Sequence, residues 1–309
     1  MSTGSSRNQT LSFLLRRFEE AGIRLRTKLG QHFLTDLNLV RLLVRTAELG
    51  PNDVVLEVGT GTGSLTAMMA PLVAAVVTVE IDRSLFELAS EELHGLGNVR
   101  MLRLDALKGK NHLNPAVLDA VGEELGKSPE RQLKLAANLP YCIATPLLTN
   151  LLDLDRPPRT MTLTIQKELA DRLIARPGTK DYGSVSLWVQ SQCRVEIVRV
   201  MPPTVFWPRP KVSSAIVHVR LDDELRGRIA DRAFFHRFLR DMFAHRRKFL
   251  RSELISAVKG RLDKSDVDRV LATLGLDGQR RAEELDIEAM LALAEAVRSE
   301  PGTGRLRTP

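Results

Sequence analysis

The chain has 309 residues, 43% of them hydrophobic, and a formal net charge of +7. That length suits one large domain and a smaller one with a sizeable core, and the positive balance points to an anionic partner, nucleic acid first. Two cysteines, Cys142 and Cys193, are too few for a disulfide framework or a cysteine metal site, and no apolar run nears the roughly 18 residues of a membrane-spanning helix. A reducing cytoplasm is the expected compartment.

Residues 1–8 are polar and expected to be disordered. Leu11, Leu14, Leu15 and Phe18 recur at helical spacing, which predicts a short amphipathic helix over 9–22. The apolar part, Leu11 to Leu15, is too short for a secretory leader, and Arg16 and Arg17 follow it rather than precede it. After the basic run Arg24, Arg26, Lys28 come Gly30-Gln31-His32-Phe33-Leu34 and a helix from Leu37 to Leu49, stopped by Gly50-Pro51. From there strands and helices alternate, with strands at 54–58, 76–80, 100–104, 133–137 and 160–165; this predicts an α/β fold with a doubly wound parallel sheet. Residues 106–132 are longer than one crossover needs and read as a helix with flanking loops, and Val185 to Cys193 as a helix. Val195–Val200 and Val212–Leu221 read as two strands joined through prolines 202, 203, 208 and 210, close enough in sequence to pair antiparallel. The β pattern stops at Leu221. Three parts follow: an N-terminal extension over 1–27, an α/β domain over 28–221 and a helical domain over 222–309.

The stretch Val54 to Thr66 ends a buried strand in Gly59, Gly61 and Gly63 and then opens a helix. The dinucleotide fingerprint needs a glycine at 64 or 66, where Ser64 and Thr66 stand, so a nicotinamide cofactor does not fit. The same turn without a ligand is an ordinary strand–helix connection. In an open α/β sheet, ligands sit beyond the carboxyl ends of the strands. Those ends carry Glu80, which lies 19 positions after Gly61 and can accept a ribose diol, then Asp105, which can accept from an adenine amine, then Asn138-Leu139-Pro140-Tyr141. Each carboxylate alone reads as a solvated charge; their shared placement makes that reading poor. The exocyclic amine of adenine is a weak nucleophile because its lone pair is delocalised into the ring. An Asn side-chain oxygen and the Pro140 carbonyl can accept its two N–H bonds, and Tyr141 offers a face to stack on, a contact worth about 1–3 kcal/mol.

With Gln166-Lys167-Glu168, Tyr182-Gly183 and Val205-Phe206-Trp207-Pro208-Arg209-Pro210-Lys211-Val212-Ser213-Ser214-Ala215, these motifs resemble, from Lys28 to about Ala296, the KsgA family of small-subunit rRNA adenine N6,N6-dimethyltransferases. The glycine motif is similar to the first motif of class I S-adenosylmethionine-dependent methyltransferases. The resemblance implies a Rossmann-like methyltransferase sheet with a small α-helical C-terminal domain that binds rRNA. The cofactor would be S-adenosylmethionine, with no metal. The product would be N6,N6-dimethyladenosine at two adjacent adenosines near the 3' end of 16S rRNA, made during ribosome biogenesis by a cytoplasmic monomer. By the same resemblance Gln31, His32 and Leu34 line the methionine and ribose side of the cofactor, with Gly59 and Gly61 beneath it. Glu80 holds the ribose, Asp105 with Ala106 the adenine, and Asn138 borders both ligands. Asn138, Pro140 and Tyr141 hold the target base, and Phe206 closes its other face, although Phe206 between prolines reads locally as a core residue. Arg246, Arg247 and Lys248 resemble a basic element that contacts phosphate; the nearby Phe234, Phe235, Phe238, Leu239, Met242 and Phe243 read as core.

The chain departs from the family pattern at His32, where Asn is usual, and at Cys142. Two alternatives stay open at this point: a macrolide-resistance-type methyltransferase of large-subunit rRNA, and an RNA-binding assembly factor without catalysis.

Overall fold

The computed structural model describes residues 11–20, 22–23, 30–109, 112–245 and 247–301, without the Phe13 side chain. The expectations for residues 1–8, for the basic run 24–28 and for Arg246 lie outside this range. The described residues divide into two compact units: one built from those before 171 together with 195–221, the other from 171–194 together with those from 222 onward. This differs from a single cut after Leu221. Residues 171–194 join the helices because Trp188 stacks on His236 at 4.4 Å and lies 6.3 Å from Phe235.

In the first unit, α1 (Leu11–Glu20), β1 (Phe33–Leu34) and α2 (Leu37–Thr46) precede β2 (Asp53–Val58), α3 (Ser64–Met69), β3 (Ala75–Val79), α4 (Arg83–Glu92) and β4 (Val99–Leu102). Next come α5 (Pro115–Gly126), β5 (Gln132–Asn138), α6 (Ala144–Asp153) and β6 (Thr160–Gln166). The unit closes with β7 (Cys193–Met201), β8 (Phe206–Trp207) and β9 (Ser214–Leu221). Seven strands form one sheet in the order β4-β3-β2-β5-β6-β9-β7. The pairs β2–β3, β3–β4, β2–β5 and β5–β6 are parallel, and β9 runs antiparallel to β6. Strands β2 and β3 are buried along their whole length, which is why they read as Val- and Leu-rich runs rather than as alternation. Edge strand β7 carries Arg194, Glu196 and Arg199, the charges that keep an open edge from pairing with another chain. Winding reverses between β2 and β5, so a crevice opens beyond their carboxyl ends.

A separate two-stranded pairing matters for the site. Short β1 runs antiparallel to β8, Phe33 opposite Trp207 and Leu34 opposite Phe206. Leu34 and Phe206 join the core containing Val40, Met201 and Ile216, while Phe33 and Trp207 pack against Phe18, Leu85 and Leu88.

In the second unit, α7 (Lys167–Leu173) leads from β6 to α8 (Ser184–Gln190), and α9 (Asp223–Gly227) to α10 (Arg232–Met242). Helices α11 (Leu250–Ala257), α12 (Lys264–Thr273) and α13 (Ile287–Ser299) follow. Phe235, Phe238, Leu239 and Met242 form the buried face of α10, while Arg237 and Arg240 are exposed. No described helix is long and apolar enough to cross a membrane.

Candidate active site

Beyond Val58 the backbone turns through Gly59, Gly61 and Gly63 with φ of +88°, +58° and +83°, values that favour glycine. A Cβ on Gly59 would lie 3.1 Å from Cδ of Pro140, and one on Gly61 would lie 3.1 Å from the Phe33 ring. Bare backbone therefore forms the floor between the tips of β2 and β5. The Gly61 N–H donates to Oε2 of Glu80 at 2.9 Å, and the Asp82 N–H donates to Oε1 at 2.9 Å. These bonds fix the carboxylate and leave it further lone pairs. Burial, with Glu80 only 5% exposed, pushes its pKa above the usual carboxylate range.

The strand predicted at 100–104 ends at Leu102, and Asp105 lies in the loop beyond it. Its Oδ1 accepts from the Leu107 N–H at 2.9 Å, a local Asx turn that sets the side chain beside Ala106. At the tip of β5, Asn138 Nδ2 donates to the carbonyl of His32 at 2.8 Å. A carbonyl can only accept, so the amide nitrogen faces His32 and the amide oxygen is left for an incoming donor. His32 in turn donates from Nδ1 to the Pro208 carbonyl at 2.6 Å, and its ring stacks on Tyr141 with centroids 5.3 Å apart.

One cavity collects these groups. Gln31, His32, Leu34, Gly59 and Gly61 line it, and so do Glu80, Asp105, Ala106, Asn138 and Pro140. Two residues of the expected set are elsewhere. Tyr141 is half-buried outside the cavity wall, its hydroxyl 2.6 Å from Ser214 Oγ. Phe206 is 3% exposed and packs in the buried cluster with Val40, Met201 and Ile216 rather than lining the cavity. In the second unit Arg247 and Lys248 are exposed between α10 and α11; Arg246 lies outside the described residues.

Glu57 reads in the sequence only as a letter of the glycine motif. It lies in the cavity wall, 1% exposed, and accepts hydrogen bonds from Thr66 and, at 2.7 Å, from Thr78, whose hydroxyl also meets Thr60 at 2.6 Å. Burial pushes its carboxyl up to about 8 against these hydroxyl bonds, with a further upward contribution from Glu80. The signal for it is an acidic residue in the middle of the apolar run Val54–Val58.

The wall tests which ligand fits. None of the described lining residues is Lys or Arg, so none of them neutralises phosphates. A glycine floor that a Cβ would fill, with carboxylates at two neighbouring strand tips, suits a nucleoside carrying a cationic rather than a phosphate tail. No group of three metal-ligating side chains occurs among the described residues.

The family described as "Ribosomal RNA adenine dimethylase" matches residues 22–297. The chain is 37% identical over 280 residues to "Ribosomal RNA small subunit methyltransferase A" of Geobacillus kaustophilus, covering 90% of this chain and 93% of the relative. It is 38% identical, over the same shares, to the protein of that name from Bacillus cereus. Among solved structures it resembles a dimethyladenosine transferase from Plasmodium falciparum, with TM-score 0.68, 24% identity, and 84% of this chain and 95% of that one covered. It also resembles the 23S rRNA methyltransferase ErmE, with TM-score 0.56, 23% identity, and 86% and 99% covered. At those identities the two structures speak for the fold, a class I methyltransferase sheet.

Proposed function

The chain belongs to the ribosomal RNA adenine dimethylase family, and from that premise we propose how its cavity performs the methyl transfer and on which RNA. The enzyme uses S-adenosylmethionine, which when bound supplies the electrophilic methyl on its sulfonium. In this reading Glu80 accepts the ribose hydroxyls, Asp105 accepts from the cofactor adenine, and the glycine floor lets the ligand lie against backbone.

The target amine is held at the next strand tip. Oδ1 of Asn138 and the carbonyl of Pro140 accept its two N–H bonds, which draws charge onto nitrogen and aims it. The observation that carries this reading is the Asn138 Nδ2 bond to His32 O at 2.8 Å, which commits the amide oxygen to the role of acceptor. Neither acceptor is a base; the amine's proton leaves to water after the methyl arrives. Tyr141 stacks on the extruded base. Arg247 and Lys248, with Arg246 between His245 and Arg247 in sequence, contact phosphates and position the RNA without reading its sequence.

The substrate proposed is small-subunit rRNA, at two adjacent adenosines near its 3' end, each methylated twice, by a monomer working in the cytoplasm on assembling subunits. Relatives that carry the small-subunit name at 37% identity over 90% of the chain support this choice. The test is to incubate the full chain with labelled cofactor and unmodified small or large ribosomal subunits, then map the labelled base by mass spectrometry. Label on neighbouring small-subunit adenines is expected; label confined to large-subunit RNA would reassign the substrate.

A further inference from the structure

Tyr141 begins a single turn, Tyr141–Ile143, that has no side-chain cap. By itself that would leave the ring free to swing. The structure instead holds it at two points. One face lies against the His32 imidazole, centroids 5.3 Å apart and planes 30° apart. The hydroxyl meets Ser214 Oγ at 2.6 Å, and Ser214 is fully buried at the start of β9, paired in the sheet with Gln166 of β6. The imidazole is itself fixed, because its Nδ1–H donates to the Pro208 carbonyl at 2.6 Å. The carbonyl of the same residue takes the Asn138 amide at 2.8 Å. One residue thus sets the plane of the tyrosine and the orientation of the amide.

We propose that His32 and Ser214 are positioning residues for methyl transfer, holding Tyr141 as a fixed platform for the target adenine and registering that platform to Asn138. The proposal rests on the reading of Tyr141 as the stacking residue given above. Neither residue touches the reacting atoms in this role. They act by narrowing the range of base positions, and a displacement of about 1 Å between reacting groups costs up to about a hundredfold in rate. The hydroxyl bond restrains rotation of the ring about its own attachment, and the imidazole blocks one face, so the base has a single face on which to stack.

The experiment measures kcat and KM for unmodified small subunits, and cofactor Kd by calorimetry, in the full chain. Tyr141→Ala is expected to lower kcat by about a hundredfold. Tyr141→Phe and Ser214→Ala each lower it about fivefold, and the double variant falls no further than either, since both remove one bond. His32→Ala lowers kcat about tenfold, more than it raises cofactor Kd, and His32→Phe, which keeps a flat ring, recovers most of the loss. The small deletion in Ser214→Ala keeps the test usable if His32→Ala folds poorly. Multiplying losses in the double variant, wild-type kcat in Ser214→Ala, or a His32→Ala loss that is entirely cofactor affinity would overturn the proposal while leaving the platform reading intact. Wild-type kcat in Tyr141→Ala would remove that reading and the proposal with it.

Discussion

The two walls of the cavity are built by different means. On the side proposed for the cofactor each carboxylate is held by backbone no more than 19 positions away: Glu80 by the N–H of Asp82 two positions on and of Gly61 in the glycine turn, Asp105 by the N–H of Leu107. On the side proposed for the base, and at Tyr141 outside the wall, the holding partners come from far along the chain. Asn138 bonds a carbonyl 106 positions away, His32 one 176 positions away, and Tyr141 a hydroxyl 73 positions away. Short-range geometry can shape a binding site for a small nucleoside. On the proposed reading, gripping a base pulled out of RNA takes the assembled tertiary structure.

Replacing groups on each wall separates these roles, the largest effect first. Asn138→Ala should lower kcat about 10²- to 10³-fold, the scale for removing one preorganised charge-stabilising group, with RNA affinity unchanged in a filter-binding assay. If turnover survives, the base wall is not where the amine is held.

Glu57, in the wall of the same cavity, gives folding stability a pH dependence. In the folded chain it keeps its proton up to about 8, against an ordinary 4.5. The folded state therefore binds more protons than the unfolded state between those values, so this group's stability contribution is fully present below about 4.5 and declines as pH rises through the window. Urea denaturation at pH 5, 6.5 and 8 should show Glu57→Gln with a flatter profile than wild type, by on the order of a few kcal/mol across the range.

Glu80→Ala should weaken cofactor binding about 10- to 100-fold by calorimetry, the loss of hydrogen bonds to a charged group, while kcat at saturating cofactor falls far less than in Asn138→Ala. Equal kcat losses in the two variants would erase the distinction between the walls. Gly59→Ala and Gly95→Ala compare strain with crowding: both residues sit at φ +88°, yet only Gly59 has a neighbour, Pro140 Cδ at 3.1 Å, within reach of a Cβ. The backbone strain common to both costs about 1–3 kcal/mol, so a lower melting temperature in Gly59→Ala than in Gly95→Ala measures the clash between the walls. Last, neutralising Arg247 and Lys248 should reduce the slope of log affinity against log salt by about 0.7–0.9 for each phosphate that the chain no longer neutralises; an unchanged slope would make them merely solvated.

What could be read from the sequence follows the same division. The glycine turn, Glu80, Asp105 and Asn138 were legible because each sits at or just past a strand end, and strand periodicity places those ends to within a few residues. The Pro208 carbonyl and Ser214 were not, because the proline-rich stretch reads as a turn and nothing local indicates that its two residues Phe206–Trp207 pair with Phe33–Leu34. Phe206 shows a resemblance pulling against local chemistry: the family pattern assigns it to the base, its surroundings between prolines suggest core, and its 3% exposure agrees with the latter. Glu57 escapes a sequence reading because its partners, Thr66 on α3 and Thr78 on β3, lie on two other elements. Residues 171–194 group with the helical part for a reason the sequence pattern does not carry: Trp188 packs on His236 of α10, 48 positions on, and strand–helix alternation carries no trace of that packing.

The antiparallel pairing of Phe33–Leu34 with Phe206–Trp207 has a temporal consequence. As the polypeptide leaves the ribosome, the nucleoside-binding turn and its carboxylates emerge long before the segment that must dock on Phe33–Leu34. Until about two-thirds of the chain has been made, the imidazole lacks its carbonyl and the tyrosine its hydroxyl partner. On the proposed reading, the platform for the acceptor base is thus completed only once synthesis has passed Ser214, after both carboxylates of the cofactor side have been made.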